Sequence, residues 1–412
     1  MQEVTSKYAV GLDIGTTTVR CVVGHIDGTT GVPTIIGVGS ALNNGMRKGN
    51  VVNLAGPAQA IDDALGEAER MSGYQVDAAT ISINGTHILS THADGMIAVG
   101  GANHEISEED VMRIEEVATL GKVPANREIL EVVPHSYKLD GQDNIKNPIG
   151  MTGTRLEIDA HVVSVLTPHL LNLQKAAEAA KVSAHSIVIT GVAAGRAVLT
   201  EHQIENGVVI IDIGGATTNI AIYEEGDLRF TAVIPVGGIN ITNDLAIGLQ
   251  TDQEIAEKLK IEHASAINRG ESSGISLEYG GQIYSFNTSE IDEIVEARLE
   301  ELFEAVNLEL KRAGRAGKLP SGAVITGGTA QLKGIADFAK KSLGLAAKVG
   351  VASGYGGVAD DIDKPQFATV VGLMLIDAES NNNVSNNNKI TSKNVFSTGV
   401  GAISKIFSRF RT

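Results

Sequence analysis

The sequence carries one short motif twice, and this repetition is its strongest constraint on the fold. The first copy reads GLDIGTTTVR (residues 11–20) and the second reads IDIGGATTNI (residues 211–220). Each copy follows a run of strand-forming residues and precedes a second apolar run that ends at a turn. Each therefore predicts a strand, a tight turn and a second strand. The copies lie about half the chain apart, which indicates a duplicated domain rather than a short-period repeat.

Length, charge and cysteine content restrict the class of protein. A chain of 412 residues is long enough for two or more domains. The single cysteine, Cys21, excludes an intrachain disulfide, and we expect it in the core because it lies in a predicted strand. The net charge of −16 argues against nucleic acid as a partner.

The start of the chain and its apolar segments predict a cytoplasmic protein. The first residues, MQEVTSKYAV, lack the basic and apolar regions of a signal peptide. The longest apolar stretch, from Phe367 to Ile376, is about half as long as a membrane-spanning helix.

The C-terminal tail differs in charge from the rest of the chain. No acid follows Glu379, whereas five basic side chains do, so the remainder of the chain carries −21. The stretch NNNVSNNNKITSKN predicts a disordered linker, assigned to residues 379–399. In residues 400–412, one helical face is apolar and basic side chains lie off it. The apolar residues are Ile403, Ile406, Phe407 and Phe410, and the basic ones are Lys405, Arg409 and Arg411. This pattern predicts a helix lying on an anionic membrane surface; the alternative is a terminal helix docked on the body.

Several other segments have helix or strand patterns. Ser107 with Asp110 predicts a capped helix start, and Thr251 with Glu254 predicts a capping box for a second helix. A long helix is expected from Ser289 to about residue 312, because apolar residues recur there at helical spacing. Residues 321–340 predict a strand, a Gly-Gly turn and a helix.

The repeated turns suit the chemistry of a polyphosphate, which needs N–H donors, hydroxyl donors and a divalent cation. Glycine permits close backbone approach, and threonine supplies hydroxyl groups. The candidates are Gly15, Thr16, Thr17 and Thr18 in the first turn, and Gly214, Gly215, Ala216 and Thr217 in the second. Asp13 and Asp212 are candidates for holding a hydrated Mg²⁺. A third turn, Gly327-Gly328-Thr329, suits the α-phosphate and the ribose or adenine.

A single turn of this kind is also typical of a glycine-rich hairpin with a capping side chain. Two matching copies and the third turn, in this order, favour phosphate binding instead. The chain has neither a P-loop motif nor a Gly-x-Gly-x-x-Gly motif that opens a helix.

In the order and spacing of these turns, the chain is similar to the superfamily of actin, Hsp70 and the sugar kinases. The resemblance implies an α/β, actin-like fold with duplicated ribonuclease-H-like domains that close on ATP and Mg²⁺. It makes the first two turns the phosphate loops and ITGGTAQLKGI the adenosine motif.

Within that superfamily, the chain resembles the FtsA family of bacterial cell-division proteins over nearly its whole length. EVVPHSYKLDGQDNIKNPIGMTGTRLE resembles the 1C subdomain that this family inserts into its first half. PVGGINITNDLAIGL with AEKLKI resembles the entry to subdomain 2B, and the polar linker with its basic end resembles the family's tail. The chain departs from the family in lacking a tail tryptophan, whose place Phe407 and Phe410 would take.

The resemblance implies a division into subdomains and further site residues. The expected subdomains are 1A (1–84 and 164–206), 1C (85–163), 2A (207–242 and 315–378, which returns to 1A) and 2B (243–314). Gly237 and Gly238 are implied to belong to the nucleotide site, and Glu257 and Lys260 to reach the ribose or adenine. On spacing alone, Glu257 and Lys260 also form an ordinary ion pair three residues apart.

The family resemblance also implies the function. We expect an ATP-binding protein, at most a weak ATPase, that self-associates into filaments on the cytoplasmic side of the inner membrane at the division site. The implied partners are the C-terminal tail of FtsZ, anionic membrane lipids and, through 1C, other division proteins. Because EIVEARLEELF resembles the docking helix for FtsZ, Arg298 and Glu301 are expected at that contact; the alternative is an ion pair within the helix.

The alternative function is a sugar kinase, because DIGTTTVR also resembles the first loop of that family. A kinase needs a carboxylate base beside the sugar hydroxyl. The sequence identifies no such base, and no catalytic residue is assigned.

Overall fold

The computed structural model describes residues 7–28, 31–100, 103–270, 272–357 and 362–387. The first repeat begins a sheet in which buried, β-branched strands alternate with tight turns. Its elements are β1 (Lys7–Ile14), β2 (Thr18–Ile26), β3 (Pro33–Leu42), the short β4 (Met46–Arg47) and β5 (Asn50–Val51), α1 (Ala55–Ser72) and β6 (Ala78–Ile83). Strands β1, β2 and β3 pair antiparallel, and β6 pairs with β1 in parallel.

An inserted unit, called the insert below (residues 89–166), follows β6. Its elements are β7 (Leu89–Ala98), α2 (Glu108–Thr119), β8 (Arg127–Leu139), β9 (Gln142–Ile145) and β10 (Arg155–Leu166). The four strands form an antiparallel sheet in the order β7-β10-β8-β9, and α2 packs on β7 and β10. The predicted cap of α2 is confirmed, because the Ser107 side chain accepts the Asp110 N–H and the Asp110 side chain accepts the Ser107 N–H.

The chain then returns to the first sheet through α3 (Thr167–Ala179), β11 (Ser183–Ile189), α4 (Thr190–Val198) and α5 (Glu201–Asn206). Strand β11 pairs in parallel with β6, which gives the sheet order β11-β6-β1-β2-β3. This sheet and its helices are called domain 1.

The second repeat begins domain 2 (residues 208–349). Its elements are β12 (Val208–Ile213), β13 (Thr218–Glu224), β14 (Asp227–Ile234), α6 (Gly238–Gly248), α7 (Gln253–His263), β15 (Gly274–Tyr279), β16 (Gln282–Asn287), α8 (Thr288–Arg312), β17 (Ala323–Thr326), α9 (Ile335–Leu343) and β18 (Ala347–Val349). The main sheet has the order β14-β13-β12-β17-β18, with the first three strands antiparallel and the last two parallel to β12. Domain 1 has the same arrangement, so the duplication predicted from the motif is confirmed.

The last elements return to domain 1. The short β19 (Gly356–Gly357) adds to β3, and α10 (Ala368–Asn387) packs against β1 and α4. Two glycines permit this packing: a Cβ on Gly11 would lie 2.3 Å from the Val370 oxygen, and one on Gly372 would lie 1.8 Å from the Ala193 oxygen. Within the described ranges, no helix combines the length and apolar character needed to span a bilayer.

Two local predictions are wrong. The expected capping box at Thr251 is absent: α7 has Asp252 at its N-cap without a side-chain hydrogen bond, and the Glu254 carboxylate instead accepts the Tyr279 hydroxyl of β15. By contrast, the strand, Gly-Gly turn and helix predicted over residues 321–340 are present, and a four-residue 3-10 helix (Gly328–Gln331) precedes α9, which begins at Ile335.

The second error concerns the linker, which was predicted to begin at residue 379. Helix α10 instead continues to Asn387. The sequence contains no glycine or proline between residues 373 and 387, and asparagine and serine lower helix propensity by well under about 1 kcal/mol each, so a helix anchored in the core can extend through them. The remainder of the linker lies outside the described residues.

Candidate functional site

The two repeated turns face each other across one cleft of about 250 Å³. Each turn is closed by the same kind of hydrogen bond, from a glycine N–H to a threonine oxygen: Gly15 to Thr18 at 3.2 Å and Gly214 to Thr217 at 2.9 Å. The turns touch at Gly215, where a Cβ would lie 2.5 Å from the Thr17 hydroxyl oxygen. Glycine at this position therefore lets the two loops approach closely.

The structure brings nearly all the predicted nucleotide residues to this cleft. Those lining it are Asp13, Gly15, Thr16, Thr17, Thr18, Asp212, Gly214, Gly215, Ala216, Thr217, Gly238, Glu257, Lys260, Gly327, Gly328 and Thr329. Gly237 does not line it but lies behind the second turn, since a Cβ there would lie 2.6 Å from the Gly214 oxygen. Its role is to let α6 begin directly against that turn.

Two carboxyl groups lie at the base of the cleft. Asp13 and Asp212 are each the next-to-last residue of their strands, β1 and β12, so the equivalent strands bring them to equivalent positions. Asp13 Oδ1 accepts the Ser82 hydroxyl at 2.7 Å, and Asp212 Oδ2 accepts the Thr369 hydroxyl at 3.3 Å.

Burial dominates the electrostatics of this carboxyl pair. It raises the pKa of Asp13, and it raises the pKa of Asp212 to about 7, with the negative charge of Asp13 adding to the second shift. Ionising both groups therefore costs free energy unless a cation lies near them.

The start of α6 is held against the second turn. The Gly238 N–H donates to the Gly214 oxygen at 2.9 Å, and the Thr329 hydroxyl donates to the same oxygen at 3.1 Å. The turn after β17 is thereby fixed to the phosphate-loop candidate after β12. Gly327 adopts a φ of 89° and has no room for a side chain, because a Cβ would lie 2.2 Å from Asp212 Oδ1.

Lys260 and Glu257 lie at the side of the cleft as a pair. The Lys260 ammonium donates to Glu257 Oε2 at 2.6 Å, to the Thr242 hydroxyl at 2.8 Å and to the Gly238 oxygen at 3.1 Å. The sequence offered two alternatives for these residues, an ion pair and a place in the nucleotide site. Both fit this geometry, because the ion pair is formed and both residues line the cleft.

A larger cavity of about 940 Å³ adjoins the cleft. The two share Lys260, Ile261, Gly328, Thr329, Gln331 and Gln366. The larger cavity is also lined by apolar side chains of domain 2, among them Ile241, Ile267 and Leu332. Polar and charged side chains, among them Arg269 and Lys333, complete its lining. A cavity of mixed apolar and polar lining with a glycine-lined extension suits a ligand with a flat, partly apolar part and an anionic part.

Sequence reasoning missed several residues that line the cleft. They are Arg20, Asn84, Thr190, Asn219, Ile261, Gln331, Gln366 and Thr369. Most come from distant segments without a local pattern; the Asn84 amide, for example, donates to the Thr217 hydroxyl at 2.8 Å across 133 residues of sequence. Arg20 could have been found from the sequence, because it is a charged residue within the mostly apolar strand β2.

The predicted contact residues for FtsZ lie apart from the cleft, on α8. Arg298 forms a two-pronged ion pair with Asp244 of α6, with Nε–Oδ2 at 2.5 Å and Nη2–Oδ1 at 3.0 Å. It also donates to Glu301 at 2.5 Å. The predicted membrane residues, from Ile403 to Arg411, lie outside the described residues.

Comparison with known proteins identifies matching family models. The model described as "Cell division protein FtsA" matches residues 209–372. The model described as "SHS2 domain inserted in FTSA" matches residues 85–164, which include all of the insert except its last two residues.

Solved structures share the fold at low sequence identity. The PilM–PilN type IV pilus biogenesis complex has a chain that is 16% identical, with a TM-score of 0.65, covering 90% of this chain and 98% of that one. MreB5 of Spiroplasma citri is 14% identical, with a TM-score of 0.56, covering 92% and 99%. These neighbours show the actin-like fold, and the inserted subdomain is the segment matched by the SHS2 model.

Curated relatives match over most of the chain and carry one name, cell division protein FtsA. The protein from Bacillus subtilis (strain 168) is 37% identical over 373 residues, which are 90% of this chain and 83% of the relative. That from Pseudomonas aeruginosa is 34% identical over 375 residues, or 90% and 89%. These matches do not favour a sugar kinase. The chain belongs to the FtsA family of actin-like cell-division proteins.

Proposed function

We propose that this protein binds ATP together with Mg²⁺ in the cleft between its two domains. One observation carries the proposal: two glycine- and threonine-lined turns, each beside a buried carboxyl group, meet across a single cleft. Backbone N–H groups and hydroxyls are the donors that phosphates need. The structurally similar MreB5 of Spiroplasma citri was solved with ADP bound, which supports a nucleotide in this fold.

The donor set fits a magnesium triphosphate. Burial raises the pKa values of the Asp13 and Asp212 carboxyl groups, and a Mg²⁺ ion near them would favour their ionised forms. Among the described residues, no three His, Cys, Asp or Glu side chains are grouped for direct metal ligation. We therefore assign Mg²⁺ to these two carboxylates through water, the coordination that this ion favours. When bound, Mg²⁺ neutralises phosphate charge.

The adenosine end of the nucleotide is assigned to the larger cavity. No atom lies within 4 Å of a Cβ built on Gly328, so the backbone there is open to a ribose or α-phosphate. Glu257 lies at the junction of the cleft and this cavity, beside Lys260, which lines both. The Glu257 carboxylate is the candidate acceptor for ribose hydroxyls.

Calorimetric titration of the full chain with ATP tests this assignment. We expect saturable binding in the presence of Mg²⁺ and weaker binding after EDTA treatment. ADP should also bind, whereas GTP serves as the control for base recognition. Heats no larger than dilution for both adenine nucleotides would refute the proposal.

We further propose that the protein polymerises on the cytoplasmic face of the inner membrane at the division site and anchors the FtsZ ring there. Membership of a cell-division family supports the setting. The acid-free, amphipathic tail supports the membrane contact, because four large apolar side chains offer roughly 6–10 kcal/mol gross on burial. Ordering the tail offsets much of this at about 1 kcal/mol or more per residue, so single tails bind weakly and many on one polymer bind strongly. Later division proteins are assigned to the insert.

Sedimentation with vesicles containing phosphatidylglycerol tests the tail. Deleting residues 400–412 should abolish co-sedimentation, and Phe407→Glu should do nearly as much because it places a charge on the apolar face. Ser408→Glu makes the same charge change off that face and is the matched control. Full binding by the truncated chain would contradict the proposal.

The FtsZ contact is assigned to the surface where α8 and α6 meet, at Arg298 and Glu301. Asp244 already holds the Arg298 guanidinium, so an acidic peptide would bind there by exchange with this carboxylate. Ile247 of α6 is 77% exposed and supplies apolar surface on the same helix as Asp244. Arg298→Glu should weaken binding of an FtsZ tail peptide by about 1–3 kcal/mol.

The control for this variant is Arg312→Glu, at the far end of α8, where the arginine pairs with Glu309. Binding of the peptide should be measured by fluorescence anisotropy, with thermal melting of each variant. If Arg298→Glu lowers stability but leaves peptide affinity intact, Arg298 serves only the ion pairs.

A further inference from the structure

Arg20 is a buried cation in the cleft, and it has no role in the proposed contacts to Mg²⁺ or to the adenosine. It lies on β2 directly opposite Asp13 of β1 in the antiparallel register. Residues opposite each other in such a pair project to the same side of the sheet. Its side chain lines the cleft with both carboxyl groups, Asp13 and Asp212.

The guanidinium of Arg20 is incompletely satisfied. Its Nε is buried and has no hydrogen-bond partner among the described residues. In that same part of the chain, no ion pair with a carboxylate within 4 Å involves Arg20; Asp13 and Asp212 act on it only at longer range. Its Cζ lies 5.6 Å from the centroid of the Phe367 ring, which is within cation–π distance. A buried charged donor without a partner costs free energy unless a ligand completes it.

The other cation in the described lining of the cleft, Lys260, already has hydrogen-bond acceptors for its donors. Lys260 uses its three N–H donors on Glu257, Thr242 and the Gly238 oxygen. Arg20 is therefore the basic residue, within the described lining of this cleft, that has donors to spare. The turn from Gly15 to Thr17 contains no lysine or arginine, so this turn itself supplies no positive charge for a phosphate.

Position in the cleft decides which part of a ligand Arg20 would meet. The end of the cleft that is shared with the larger cavity contains Lys260 and Gly328. Arg20, Asp13 and Asp212 line the cleft but do not line the larger cavity. A nucleotide with its base in the larger cavity would point its last phosphate toward Arg20.

We infer that Arg20 is the phosphate-binding cation of this site and contacts the terminal phosphate of a nucleoside triphosphate. The inference rests on the proposed nucleotide site and goes beyond it, because it assigns the distinction between triphosphate and diphosphate to one side chain. Guanidinium groups bind phosphate oxygens through charge-assisted hydrogen bonds. Without ligand, the same positive charge partly offsets the two carboxylates.

The test compares the ATP and ADP affinities of Arg20→Met by calorimetry with Mg²⁺ present. We expect the dissociation constant for ATP to rise at least tenfold and that for ADP to change less than threefold. The ratio of the two constants is the readout, because a general loss of structural integrity would affect both alike. Arg20→Lys, which retains the charge but not the planar fork, should shift the ratio in the same direction by a smaller factor.

If Arg20→Met does not fold, as judged by circular dichroism, Arg20→Lys alone provides the ratio. An unchanged ratio in the variants that fold would overturn the inference. An equal loss for ATP and ADP would also overturn it, since Arg20 would then contact a phosphate common to both or act only on structure. Failure of the proposed site itself is distinguishable, because then the unsubstituted protein would bind neither nucleotide.

Discussion

Replacing Asp212 by asparagine should stabilise the nucleotide-free protein at alkaline pH while removing its response to Mg²⁺-ATP. The side chain is 5% exposed and lies near Asp13, and these surroundings raise its pKa from 3.8 to about 7. The interval between those two values corresponds to about 4 kcal/mol in the cost of ionising the group on folding. Asparagine occupies the same volume and carries no charge, so it avoids this cost.

The direction of the pH effect follows from proton binding. Between pH 3.8 and about 7 the folded chain retains the Asp212 proton, whereas the unfolded chain has released it. The stabilising contribution of this proton is complete below pH 3.8 and is lost as pH rises through about 7. Integrated from pH 5 to pH 8, the loss is about 2–3 kcal/mol in the free energy of unfolding, and the asparagine variant does not incur it.

Thermal melting between pH 5 and pH 8, with and without Mg²⁺-ATP, measures both effects. Without nucleotide, the melting temperature of the original protein should fall more steeply with pH than that of Asp212→Asn. At pH 8, Mg²⁺-ATP should raise the melting temperature of the original protein by mass action but leave the variant nearly unchanged. Asp212→Ala should likewise weaken Mg²⁺-ATP binding at least tenfold.

The matched control is Asp62→Asn, an exposed position on α1. Its melting curves should follow those of the original protein at every pH. Parallel curves for the original protein and Asp212→Asn would refute the electrostatic argument, and unchanged ATP affinity in either Asp212 variant would refute a role for this carboxylate in the clamp.

Two further predictions concern the framework of the cleft. Gly372→Val should prevent folding of domain 1 or cost several kcal/mol, because a Cβ there would lie 1.8 Å from the Ala193 oxygen; Gly28→Val, with nothing within 4 Å, should have little effect on the melting temperature. Asn84→Ala removes the 2.8 Å hydrogen bond to Thr217 that joins the two domains, so amide exchange in residues 214–217 should accelerate by the equivalent of about 1 kcal/mol. Unchanged exchange would mean that other contacts hold the second turn.

The sequence predicted those parts of the fold that local pattern determines. Each hairpin is specified within about fifteen residues by a β-branched run, a glycine and a second apolar run, and both formed as expected. Helix α8 was equally predictable from the sequence, because its buried apolar residues recur at helical spacing over 25 residues. By contrast, the capping box predicted at Thr251 failed because Glu254 has a tertiary partner, Tyr279, that no local pattern reveals.

The candidate site was predictable only where it coincides with the repeated motif. The glycines, threonines and aspartates of the turns are read directly from the two copies. Thr369 reaches Asp212 across 157 residues of sequence, and Asn84 reaches Thr217 across 133. Such residues lie in the cleft because of the way domain 1, the insert and domain 2 are connected, and a single sequence does not encode that connection in any local spacing.

Helix α10 begins at the cleft, where Thr369 is part of the lining, and its other end leads toward the C-terminal tail. Its Asp377 is buried in domain 1, where it accepts the Val10 N–H at 2.9 Å and the Thr80 hydroxyl at 2.7 Å. Near its start, Thr369 contacts Asp212 of domain 2 at 3.3 Å. The bonds at Asp377 are short and buried, and Gly372 gives the helix a close fit against α4, so α10 is fixed to domain 1. A separation of the two domains would therefore break the contact between Thr369 and Asp212 and leave α10 attached to domain 1.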